Sequence, residues 1–136
     1  MIKIVAGIFI NEDNEILLLK RSENRKDYPN KWNVLSEKIQ SSENPETCLE
    51  RGIKEGLGIS NYQVIRKGEP FVDVDDSIQM KWLVYPYLCK ILDGGIKLDA
   101  EHVDYKWVEI GNLSEYDCVP GMYKDLETVG VLSYDR

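Results

Sequence analysis

The stretch from Trp32 to Ile59, WNVLSEKIQSSENPETCLERGIKEGLGI, constrains this chain more than any other. It opens like a strand at Trp32 and Val34, passes through a polar loop and ends in a helix. Asn44 has the side chain of a helix N-cap, and Pro45 suits the first helical position, where a missing N–H costs nothing. Leu49, Ile53 and Leu57 recur every four residues and draw one apolar stripe along about three turns. Gly58 stands where a left-handed C-terminal cap is expected. A strand, a loop and a capped helix therefore have to fit together here.

Glu43, Arg51, Ile53, Glu55, Gly58 and Ile59 stand in that stretch at a fixed spacing, with Trp32 before them and Pro45 among them. In this register the stretch resembles the Nudix box, the signature of the Nudix hydrolases (MutT-like proteins). Four typed positions depart from it, so the box is degenerate. Ser36 and Glu37 stand where the family has Gly-Gly, Gly52 where it has the glutamate after the arginine, and Gly56 where it has the second glutamate of a pair. In the family those helix glutamates hold divalent cations against a diphosphate, and only Glu55 of the three survives. At about 100° per residue, positions 52, 55 and 56 share one helix face, which makes three carboxylates there a hard oxygen site for Mg²⁺ or Mn²⁺. Glu50 points to nearly the opposite face and Glu46 lies more than a quarter-turn away, so neither substitutes from the same helix.

Each glycine costs about 1 kcal/mol against a good helix former. Two readings account for them: relaxed selection after catalysis was lost, or close backbone approach on that face. The first is the one favoured by the sequence.

The length of 136 residues suits one domain spanning 1–136 with a proper core. Apolar residues make up 43% and charged residues 30%, an ordinary balance for a soluble protein. The opening MIKIVAGIFI lacks a cleavage pattern, and no apolar run approaches the length of a membrane span. Cys48, Cys89 and Cys118 are too widely spaced for a disulfide framework or a zinc pattern. The expected compartment is the cytoplasm. A net charge of −7 argues against general nucleic-acid binding. A small anionic ligand then needs a metal or a local basic cluster.

Ile2 to Ile10 reads as a buried strand, NEDN (11–14) as a turn and Glu15 to Lys20 as the returning strand of a hairpin. Arg21, Arg25, Lys26 and Lys31 are the densest basic group, either a solvated loop or a phosphate-facing cluster. Tyr28 and Trp32 flank Pro29 and offer an aromatic pair for a nucleobase, with a core role the alternative for Trp32. Residues 61–74 and 78–92 read as strands, the second carrying Pro86 and so expected at an edge or a bulge. The run DVDD (73–76) reads as a solvated turn, since it lacks the glycine and final glutamate of a calcium loop. Asp93-Gly94-Gly95 signals a turn before another short strand. In the tail, Pro120-Gly121 opens a helix over Met122 to Thr128.

The resemblance, covering roughly residues 3 to 130, implies an α/β fold: the Nudix α/β/α sandwich with a mixed sheet. It implies a Mg²⁺- or Mn²⁺-dependent hydrolase of a nucleoside diphosphate linked to another group, weakened by Gly52 and Gly56. Many members carry Glu-His shortly before a Trp-Val strand, as Glu101-His102 stand before Trp107-Val108 here. Glu55 and Glu101 are then the expected catalytic and metal residues, with Arg21, Tyr28 and Arg51 toward substrate. His102 is expected in the loop or packing, Glu43 and Arg51 also as an ion pair steadying the box, and Glu37 as a surface charge or a relocated ligand. The other reading is a non-catalytic module that binds a nucleotide or a partner protein, and a homodimer is allowed. The partner expected is a small nucleotide derivative, with no membrane.

Overall fold

A computed structural model describes residues 1–132. Eight strands form two sheets: β1 Ile2–Phe9, β2 Glu15–Arg21, β3 Trp32–Asn33, β4 Leu35–Lys38, β5 Asn61–Lys67, β6 Phe71–Asp75, β7 Met80–Asp93 and β8 His102–Glu109. Helix α1 spans Pro45–Leu57 and helix α2 Met122–Thr128, with a 3₁₀ turn at Ile110–Glu115. The mixed sheet runs β4-β1-β7-β5, with β1 and β7 parallel and β6 also on β7. The smaller antiparallel sheet runs β3-β2-β8.

Strand alternation divides the core in two. Ala6 and Ile8 of β1 pack with Met122, Leu126 and Val129, whereas Val5 and Phe9 pack with Leu49, Ile53 and Leu57. The two helices thus cover opposite faces of β1, which is the expected α/β/α layering. Helix α1 is capped as its sequence predicts. Asn44 and Thr47 close a reciprocal box, Pro45 opens the helix, and Gly58 ends it at φ 68°.

Four local expectations are corrected. Strands β1 and β2 do not form a hairpin: one antiparallel bridge, Ile10 to Ile16, joins them before they part into different sheets. Both strands are apolar on both faces, so each needs two covered sides, and a hairpin with a wet face does not supply them. Residues 61–74 are two strands, broken at 68–70. That break explains Pro86, which sits in a central strand and not at an edge. Its carbonyl accepts from the Gly68 N–H at 2.9 Å, so its absent N–H points at the gap where β5 gives way to β6. No strand follows Gly94-Gly95 directly; the next is β8, which starts at His102. The Lys97 N–H instead donates to Leu57 O at 2.8 Å and satisfies a helix-end carbonyl.

Candidate functional site

Ser36 and Glu37 lie in β4, not in a loop, and pair with Ala6 and Val5. Leu35 and Glu37 therefore share one face of the strand, and that face meets α1. A Cβ on Gly52 would lie 3.0 Å from the Glu37 Cβ, and one on Gly56 would lie 3.0 Å from a Leu35 methyl. Two residues of strand advance about 6.7 Å and four residues of helix about 6 Å, so the two glycines and the two β4 residues mesh in register. Close packing accounts for both glycines, and the reading from lost catalysis, favoured on sequence, is not needed.

Arg51 gathers the carboxylates beside this contact. Its Nε and Nη2 donate to the two oxygens of Glu43 at 2.7 and 3.0 Å. Nη2 also donates to Lys38 O at 2.9 Å, and Nη1 lies 3.3 Å from both Glu55 and Glu37. Hydrogen bonding from Arg51 holds the Glu43 carboxyl at about 2, while Glu43 pushes the guanidinium up. Across from Gly56, Asp99 accepts from the Glu101 N–H at 3.1 Å and holds His102 Nδ1 at 2.9 Å. Glu101 pairs with Arg25 at 3.0 Å.

Of these groups, Arg25, Glu37, Glu55, Asp99, Glu101 and His102 line one cleft of about 1230 Å³. Its floor includes Ile2, Ile4 and Ala6, and it runs from Glu37, Glu55 and Asp99 to Trp82, Asp73 and Asp125. Tyr28 stands at φ 52°, an uncommon conformation for so bulky a residue. Its hydroxyl donates to Asp75, and its ring lies 6.2 Å from that of Trp82, tilted by 38°. Trp82 is buried at 7% exposure.

Sequence and fold comparisons point the same way as this geometry. The model of the NUDIX domain matches residues 1–126. The chain belongs to the Nudix family. A curated relative, the nucleoside triphosphatase NudI of Escherichia coli O139:H28, is 27% identical over 90% of this chain and 93% of its own length. The MutT protein from Methanosarcina mazei Go1 superposes with a TM-score of 0.77, at 24% identity, over 91% of this chain and 88% of that one. The NUDIX domain of Shewanella oneidensis NrtR, solved with ADP ribose, superposes with a TM-score of 0.71, at 14% identity, over 93% and 84%.

Within the Nudix frame, Glu55 and Glu101 line the same cleft, each tied to an arginine. No three acidic, histidine or cysteine side chains among the described residues converge on one point. Arg51 spends its guanidinium on protein acceptors, as the box-steadying reading has it. Arg21 is buried at 4% exposure, donates to Asp27 O and shapes the loop from within. Lys31 pairs with Asp117 at 2.8 Å. Lys26 makes no ion pair among the described residues and, with Arg25, lines the cleft. Trp32 packs edge-on against Tyr116 at 5.4 Å and is no partner of Tyr28. The aromatic neighbour of Tyr28 is Trp82, which the sequence reading passed over. The DVDD run is not a solvated turn throughout. Asp73 and Asp75 alternate inward on β6 and line the cleft. Asp99 and Asp125 were missed as well; their sole sequence signal was acidic character beside strand and helix starts.

Proposed function

We propose that this Nudix protein is a divalent-metal-dependent hydrolase of a nucleoside diphosphate linked to a further group, a nucleoside triphosphate being the simplest case. The observation that carries the reading is Glu37. Its side chain fills the space a Gly52 side chain would occupy, and Arg51 Nη1 links it to Glu55. A carboxylate thus stands near the vacated helix position, supplied by β4 in place of α1. The 27% identity to a nucleoside triphosphatase supports the substrate class.

The donor chemistry fits Mg²⁺ or Mn²⁺: Glu37, Glu55, Asp99 and Glu101 offer hard carboxylate oxygens along one wall. These residues would hold the ion, which supplies charge neutralisation at the leaving phosphate when bound. Arg51 orients Glu37 and Glu55, and Arg25 orients Glu101. With Lys26 at the rim, the site takes an anionic substrate despite the net charge of −7. The compartment we propose is the cytoplasm.

One observation favours a second reading, a module that binds a nucleotide without cleaving it: the four carboxylates do not converge. Product release from nucleoside triphosphates, nucleotide sugars and dinucleoside polyphosphates, with Mg²⁺ and Mn²⁺, separates the two. The hydrolase reading expects metal-dependent turnover that falls about 100-fold or more in Glu55→Ala. Tight metal-independent binding with no turnover would establish the module instead.

A further inference from the structure

The cleft holds two carboxyl groups that the chemistry above does not use. Its other acids have protein partners: Asp27 with Arg21, Asp75 with Tyr28 and Ser77, Asp99 with His102, Glu101 with Arg25, and Glu37 and Glu55 with Arg51. Asp73 and Asp125 have no hydrogen bond or ion pair from their carboxyl groups among the described residues. Asp125 is only 8% exposed and still faces the cleft. Buried polar groups are almost always hydrogen-bonded, and an orphan pair facing a cavity marks where a ligand's donors belong.

The fold brings the two acids together from distant segments. Asp73 lies opposite Trp82 across the β6–β7 ladder, so the two side chains share a sheet face. Gly121, before the first turn of α2, has no side chain, and a Cβ there would overlap the Asp73 carboxylate. Asp125 follows one helical turn later, its N–H reaching Gly121 O. A carboxyl pair thus adjoins the Trp82 and Tyr28 rings.

We propose that Asp73 and Asp125 read the nucleobase, taking one that carries an exocyclic amino group beside a ring nitrogen. This rests on the nucleotide reading of the cleft and goes further by naming the class of base. Burial raises both carboxyls, Asp125 far more; the charge of Asp75 adds to the rise at Asp73, and that of Asp73 to the rise at Asp125. An ionised carboxyl offers acceptors only, and one that takes up a proton adds a single O–H donor. Adenine, guanine and cytosine each meet that set with an amino group, whose two N–H donors suit carboxyl acceptors, beside one ring-nitrogen acceptor. Uracil and thymine have no amino group and turn a carbonyl oxygen toward the second carboxylate. A phosphate is repelled here, so the polyphosphate lies toward Arg25, Lys26 and α1.

Equilibrium binding of ATP, GTP, CTP and UTP in EDTA, beside the four free nucleosides by saturation-transfer NMR, tests this without turnover or metal. The amino-bearing bases should bind about tenfold or more tighter than uridine compounds. Asp73→Ala and Asp125→Ala should cut that preference to about threefold or less, while Asp125→Asn, the shape of a neutral acid, should keep most of it. Equal or tighter uridine binding, or a preference unmoved in Asp73→Ala, overturns the proposal; that variant changes a half-buried strand residue if Asp125→Ala fails to fold. Base preference without turnover would uphold the pair and sink the hydrolase reading. Turnover without base preference would do the reverse.

Discussion

Two acidic walls face the same cleft, and they are held in opposite ways. Beside α1, Glu37 and Glu55 line the cleft and share the Arg51 guanidinium with Glu43. Beside α2, Asp73 and Asp125 have no cation and no donor among the described residues. The first wall is organised before any ligand arrives. The second is incomplete without one, and burial there acts against charge. An acid kept ionised by an arginine suits cations and phosphate chemistry, whereas an acid driven toward neutrality suits hydrogen-bond reading of an uncharged group.

The largest effect on this contrast should come from Arg51→Ala, which strips three carboxylates of the cation they share. We expect Tm to fall by about 5–10 °C, with Mg²⁺ restoring more of it than in the wild type, by calorimetry. Acid should mimic the loss in part. Glu43 has its folded value depressed to about 2 from 4.5, so its contribution is intact above pH 4.5 and disappears as pH falls through 2.

Gly52→Glu should cost about 1–3 kcal/mol in denaturant unfolding, because the new side chain meets Glu37 at 3.0 Å. Combining it with Glu37→Gly exchanges the two residues and should recover most of that stability together with Mn²⁺ affinity. A double variant no better than the single one would mean that Glu37 does not stand in for position 52.

On the other wall the sign reverses. Asp125→Asn should stabilise the free protein by about 1–2 kcal/mol at pH 7 and by much less at pH 4. The folded carboxyl titrates well above its ordinary 3.8, so the cost it imposes grows only as pH rises past that value. A larger gain at pH 4 than at pH 7 would refute the contrast. The smallest change expected is Lys31→Ala, which removes an exposed pair with Asp117 and should alter stability by about 0–1 kcal/mol.

Much of the box region was legible because its signals are local. Asn44, Pro45 and Gly58 act on the backbone next to them, and Leu49, Ile53 and Leu57 declare one helix face without reference to any partner. Helix α2 was read at Met122–Thr128 for the same reason. What went unread depends on neighbours. Pro86 looked like an edge residue until the break between β5 and β6 placed a gap beside its missing N–H.

The sequence by itself determined the family's strand–helix frame, the basic loop and the loss of two helix glutamates, since each is written in consecutive residues at a fixed period. Tertiary structure alone decided what that loss means. It set Glu37 against Gly52 and Leu35 against Gly56, joined Asp73 of β6 to Asp125 of α2, and gave Tyr28 the ring of Trp82 for company. These pairs are separated by 15 to 54 residues in the chain. A contact of that range is fixed by strand register and helix packing, and neither is a property of any one segment.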